Sequence, residues 1–160
     1  MKYAIVVSRF NQGVTQKLLE GSIRTFRNHK IGEDSLKIVW APGAFELPLL
    51  ALALAESRKY RAVVCLGCVI KGETSHNEHI ARSAAQGILD ASLLTGVPIA
   101  FGVLTPDNRR QALARSGNGS SNKGSEAAEA AIEMAETLAR LKKSPRRAKK
   151  TRHPAPLSIA

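Results

Sequence analysis

Residues 61–80 read RAVVCLGCVIKGETSHNEHI. From Ala62 to Ile70 the run is apolar, interrupted only by Gly67, which predicts a strand covered on both faces as in parallel sheets. Lys71-Gly72 breaks it, Glu73-Thr74-Ser75-His76 forms a polar loop, and a helical pattern follows from about Glu78. Strand, glycine turn, polar loop and helix make one unit of a parallel α/β protein. In such sheets ligands bind beyond the carboxyl ends of the strands. Unpaired N–H groups at the start of the following helix suit an anion. A histidine at the end of that loop is placed to handle protons near neutral pH.

The flanking sequence repeats this grammar. YAIVVS, within residues 1–8, predicts a buried strand, followed by Arg9-Phe10-Asn11 and a helix over about 15–29 with Val14, Leu18, Leu19, Ile23 and Phe26 on one stripe. LKIVW (Leu36 to Trp40) predicts the second strand, with a loop from Ala41 to Glu46 and a helix over about 47–57, whose first turn accommodates Pro48. Downstream of residue 80 the helix runs to Thr95 and stops at Gly96. Val97 to Leu104 is the fourth strand, with Pro98 tolerated at its start. A short helix to about Ala114, a Gly/Ser/Asn loop over 116–121 and a helix over about 123–141 complete the pattern. Strands alternating with helices predict a three-layer α/β/α sandwich around a four-stranded parallel sheet, flavodoxin-like in outline.

With 160 residues the chain suits one core. The expected division is a domain over 1–143 and a basic tail over 144–160, too polar and irregular to bury a face and so expected to be disordered. The net charge is +11, but no acidic residue follows Glu136, and Lys142, Lys143, Arg146, Arg147, Lys149, Lys150 and Arg152 supply most of the excess. The basic balance therefore belongs to the chain's end. It reads as a solubilising extension ahead of a nucleic-acid contact, which would be weak and salt-dependent. Every apolar run is too short for a membrane span, and the first residues lack a leader's apolar length and cleavage site, so the cytoplasm is expected. Cys65 and Cys68 form C-x-x-C inside a strand, where they point to opposite faces; they read as core residues, not as a redox pair or zinc site.

Four loops at strand ends carry the chemistry-bearing residues, and each has a blander reading. Phe10 or Phe45 alone is more often core than a stacking ring. Glu46 suits a helix N-terminus, and His76 could merely cap one. Arg115 could be a favourable charge at a helix end, whereas Lys123 opposes the dipole of the helix it begins unless an anion lies nearby. Neither a Walker A pattern nor G-x-G-x-x-G occurs, and no set of His, Cys and carboxylates has metal-ligand spacing.

Taken together, VVSRFN (Val6 to Asn11), APGAFELP (Ala41 to Pro48), LGCVIKGETSH (Leu66 to His76), VPIAFGVLT (Val97 to Thr105), QALARSG (Gln111 to Gly117) and NKGSEAAEAAIEM (Asn122 to Met134) resemble the 6,7-dimethyl-8-ribityllumazine synthases of riboflavin biosynthesis. The resemblance covers the chain to about Lys143. It implies a transferase that condenses 5-amino-6-(D-ribitylamino)uracil with 3,4-dihydroxy-2-butanone 4-phosphate and uses no cofactor or metal. It implies that Phe10 stacks on the pyrimidine with Asn11 nearby, and that Ala44, Phe45 and Glu46 line the ribityl chain. The backbone of Cys68, Val69 and Ile70 would read the pyrimidine edge. Glu73 and Thr74 N–H groups with Arg115 would hold the phosphate, and His76 would transfer protons. Phe101 and Lys123 would reach in from a neighbouring subunit of a homopentamer, and riboflavin synthase would be a candidate partner.

Three departures from the family pattern stand out. Asn77 and His79 occupy positions where aromatic residues are usual, and the loop from Gly117 to Ser121 differs in composition from that of many capsid-forming members. The chain also opens on its first sheet strand, which favours an isolated pentamer, or a pair of them, over a sixty-subunit shell. The alternative reading is a non-catalytic flavin- or lumazine-binding protein on the same fold.

Overall fold

In the computed structural model, residues 2–143 are described; the tail expected over 144–160 lies outside them. The strands are β1 (Lys2–Ser8), β2 (Leu36–Ala41), β3 (Tyr60–Cys68) and β4 (Ile99–Leu104). The helices are α1 (Gln12–Asn28), α2 (Leu47–Glu56), α3 (His76–Thr95), α4 (Arg109–Ala114) and α5 (Lys123–Lys143). All strand pairs are parallel, in the order β2-β1-β3-β4. This is the flavodoxin-like arrangement expected from the sequence, with its topological switch between β1 and β3, where such sheets bind ligands.

The period-2 alternation along the central strands sorts the core into two layers. Tyr3, Ile5 and Val7 of β1 and Ala62, Val64, Leu66 and Cys68 of β3 pack with Val14, Leu18 and Phe26 of α1 and Ala128 and Ile132 of α5. Ala4, Val6, Val63 and Cys65 point the other way, into a layer with Leu47 and Ala51 of α2 and Ile88 of α3. Both central strands are buried on both faces, which is why their sequences read as continuous apolar runs. Cys65 and Cys68 fall in opposite layers, both free and buried. Burial pushes the Cys65 thiol from 9.0 up to about 12 and that of Cys68 up to about 11, the nearby Arg109 charge opposing the latter. Both thiols should resist a disulfide-exchange reagent at pH 8 in the native protein and react once guanidinium unfolds it. The unfolded chain loses these protons from about pH 9, where the folded chain still holds them. Stability is therefore undiminished by them below that pH and falls as pH rises from 9 towards 11–12.

Three boundaries differ from the sequence expectation in ways that shape the site. Strand β3 ends at Cys68 and not at Ile70, which leaves Val69 and Ile70 outside the ladder. Helix α1 begins three residues before the expected 15. Asn11 adopts a left-handed conformation (φ 58°), which an asparagine tolerates, and its carbonyl accepts from Val14 and Thr15 N–H. Helix α3 begins at His76, not Glu78, so the histidine is the helix's first residue, not the last of the loop. Gly96, left-handed at φ 67°, ends α3 as expected.

Candidate active site

The chain reversals after β1, β2 and β3 meet at the carboxyl edge of the sheet. Asn11 fixes the first of them to the third: its Nδ2 donates to the Cys68 carbonyl at 2.8 Å. Arg9 N–H and Phe10 N–H donate to the Ala41 and Pro42 carbonyls, tying the ends of β1 and β2. The loop after β3 is held to the end of β4 by Val69 N–H to the Leu104 carbonyl (2.8 Å) and Lys71 N–H to the Pro106 carbonyl (2.9 Å). Among the described residues the Ile70 N–H and the Val69 carbonyl have no protein partner, so the free polar edge of this segment lies at Val69-Ile70.

These reversals enclose a cavity of about 350 Å³, walled by Phe10, the Pro42–Glu46 turn, the Cys68–Ile70 backbone, Thr74 and His76. Phe10 is 70% and Phe45 60% exposed, so both rings stand at this opening and neither is core. Glu46 Oε2 accepts from Gly43 N–H at 3.0 Å, closing the turn, and leaves Oε1 unpartnered among the described residues. Gly72, Asn77 and Ile80 also line the cavity. Ile80 gave no sequence signal beyond its place one helical turn after His76, on the same face of α3. Asn11 acts from behind the cavity wall, and Glu73 lies outside it.

A second opening, about 730 Å³, lies at the end of the edge strand β4 and shares no lining residue with the first. Phe101, Arg115 and Lys123 line it, with Thr105, Gln111 and Glu126. Within one chain, Arg115 thus keeps company with Phe101 and Lys123 and not with Glu73 and Thr74. Lys123 begins α5, where its charge opposes the helix dipole, but its ammonium pairs with the Glu126 carboxylate in the same first turn. The unfavourable placement is therefore offset within the chain itself. The two cavities differ in kind: the first presents rings, an acid and a histidine, the second a ring, two cations and the Glu126 carboxylate that pairs with one of them. Each is open, and neither alone holds both an imidazole and a guanidinium.

Among the described residues no group of His, Cys, Asp and Glu side chains could hold a metal ion, and no helix is long and apolar enough to cross a membrane.

The family model for 6,7-dimethyl-8-ribityllumazine synthase matches residues 1–139. The chain is 52% identical over 134 residues to the chloroplastic 6,7-dimethyl-8-ribityllumazine synthase of Spinacia oleracea, covering 84% of this chain and 60% of that protein. It is 49% identical over 135 residues to the chloroplastic protein of the same name from Arabidopsis thaliana, again 84% and 60%. The chain thus spans about 60% of the length of these curated relatives.

Proposed function

Because the chain belongs to the 6,7-dimethyl-8-ribityllumazine synthase family, we propose that it condenses 5-amino-6-(D-ribitylamino)uracil with 3,4-dihydroxy-2-butanone 4-phosphate. The amine attacks the ketone and water leaves as the imine forms. Inorganic phosphate is then eliminated, and closure of the second ring releases a further water, giving 6,7-dimethyl-8-ribityllumazine. No step requires an oxidant, a metal or an organic cofactor.

The observation that carries this reading is the division of the polar residues between two open cavities, one at the sheet's switch point and one at its edge strand. The first cavity takes the pyrimidine: Phe10 stacks on the ring, the unpaired edge at Val69-Ile70 reads its polar rim, and Glu46 Oε1 accepts from ribityl hydroxyls. His76, at the same cavity, moves the protons of imine formation and elimination. The phosphate lies between the Gly72–Thr74 turn of one copy and Arg115 of the next, whose guanidinium offers two parallel donors. Phe101 and Lys123 arrive with that Arg115, since all three line one cavity. The protein so read is a homo-oligomer, a ring of five, with its sites between copies. Exposed Leu49 on α2 and Leu89, Leu93 and Leu94 on α3 support association. The cytoplasm is the compartment proposed, in keeping with two free thiols, while both named relatives are chloroplastic.

The test is turnover: purified protein mixed with both substrates, followed by lumazine absorbance against a no-protein control, since the substrates also react unaided. Formation well above the control supports the synthase reading. A rate equal to the control would leave a flavin- or lumazine-binding protein on the same fold. His76→Ala should lower kcat on the order of a hundredfold, the low end for a lost general acid–base, without abolishing turnover. The remaining rate comes from holding two reactants together.

A further inference from the structure

Asn122 immediately precedes Lys123, one of the two cations of the edge-strand cavity, and is itself buried, with 1% exposure. Its Nδ2 donates to three carbonyls: Lys17 of α1 at 3.1 Å, Ser116 at 3.0 Å and Gly117 at 2.9 Å. Its Oδ1 accepts from Gly124 N–H (2.9 Å) and Ser125 N–H (3.1 Å), capping α5. The amide orientation is forced, because the reverse would set an oxygen against three carbonyls and an NH2 against two donors. Every polar capacity of the group is engaged. The same loop is closed by Lys123 N–H to the Arg115 carbonyl at 2.8 Å and by Ser121 Oγ to the Ala114 carbonyl at 3.2 Å. Thus Arg115 and Lys123 leave the loop from adjacent points, and the loop is fastened to α1 through Asn122.

This fastening needs α1 close by. A Cβ at Gly21 would lie 2.3 Å from Asn122 Oδ1, so the amide occupies the space a side chain on α1 would take. We propose that Asn122 is the positioning residue of the anion-binding half of the site, setting the spacing of Arg115 and Lys123 while touching no substrate itself. Helix α1, remote from both cavities at Gly21, thereby governs phosphate affinity. The inference rests on the reading that this cavity takes the phosphate-bearing substrate.

Two roles of Asn122 can be separated. Serine at 122 retains an oxygen able to cap α5, a replacement that ranks near asparagine for stability, but it cannot reach the three carbonyls. Asn122→Ser should therefore fold with α5 still capped. The Lys17, Ser116 and Gly117 carbonyls lose their donor, so the variant's thermal midpoint should fall by more than the cap difference alone, and its kinetic and binding constants are read well below that midpoint. Its KM for the butanone phosphate and its inhibition constant for inorganic phosphate should each rise roughly tenfold, the scale of one weakened charge-assisted contact. The KM for the pyrimidine should stay within about twofold. Gly21→Ala, which displaces the amide from the α1 side, should move the same two constants in the same direction. A residue serving only the fold would lower the midpoint and the active fraction and leave both constants unchanged. The decisive experiment titrates inorganic phosphate into wild-type and Asn122→Ser proteins by calorimetry alongside the two KM measurements. Weakened phosphate binding confined to that substrate upholds the proposal. Equal phosphate affinity in the two proteins overturns it and leaves the reading of the cavity standing. Absence of phosphate binding in the wild type overturns both.

Discussion

Arg115→Ala is expected to raise the KM for 3,4-dihydroxy-2-butanone 4-phosphate roughly 30- to 150-fold, the equivalent of about 2–3 kcal/mol for a lost charge-assisted, two-point contact. The KM for the ribitylaminouracil should hold, because Arg115 lines the edge-strand cavity and not the one that holds Phe10, Glu46 and His76. Arg115→Lys should fall between: a lysine keeps the charge but lacks the planar fork that matches two phosphate oxygens. The pairing of Lys123 with Glu126 sharpens the expectation. With its ammonium already partnered within the chain, Lys123 alone is a poor substitute for the guanidinium. Steady-state kinetics with each substrate varied in turn distinguish the outcomes. An unchanged KM for the phosphate substrate would remove Arg115 from the site.

The second large effect falls on stability. A Cβ at Gly124 would lie 2.0 Å from the Leu18 carbonyl oxygen and 2.6 Å from its carbon. Those are backbone atoms of α1, so no rotamer change relieves the clash; α1 and α5 must move apart. That separation opens the layer formed by Val14, Leu18, Phe26, Ala128 and Ile132. Alanine is intrinsically the better helix residue, by about 1 kcal/mol, but overpacking against backbone outweighs it. Gly124→Ala is expected to lose about 3 kcal/mol or more, a large part of a typical domain's stability of about 5–15 kcal/mol. Gly32→Ala is the control, since nothing lies within 4 Å of the added atom and its φ is −71°. Denaturant titration of the three proteins should show a shifted midpoint for Gly124→Ala alone. A Gly124→Ala midpoint at the wild-type value would mean that α1 and α5 do not cross this closely.

The layers of the fold were legible because burial on both faces leaves a plain mark. β1 and β3 are the two central strands, and their apolar runs could be read without pairing information. The edge strand β4 was legible from its flanks, with Gly96 stopping α3 ahead of it. Local conformation was harder. The early start of α1 depends on Asn11 entering the left-handed region, and the side-chain bond that holds it there spans to Cys68, 57 residues away. Periodicity carries no such information. Phe10 and Phe45 are ambiguous as single residues, and their exposure follows only from where the strands end.

The grouping of Arg115 with Phe101 and Lys123 follows from strand order, because only an edge strand leaves a cavity beside β4. Asn122 was the signal that sequence reasoning passed over. In Asn122-Lys123-Gly124 the lysine is the residue that conflicts with the helix dipole, although an asparagine directly before a helix is itself a strong N-cap pattern. Its three carbonyl partners, one of them in α1, have no counterpart in the local sequence.

The central claim is that each working site joins the Phe10–Glu46–His76 cavity of one copy to the Phe101–Arg115–Lys123 cavity of another. Mixing tests it most directly. His76→Ala and Arg115→Ala proteins are each assayed alone, then unfolded together in equal amounts, refolded and assayed again. In a ring of randomly mixed copies, about a quarter of the interfaces join an intact first cavity to an intact second one. Activity should therefore rise from the low level of either parent to roughly a quarter of wild type. If every site lay within one chain, the mixture would show only the average of its parents, and that result would contradict the account.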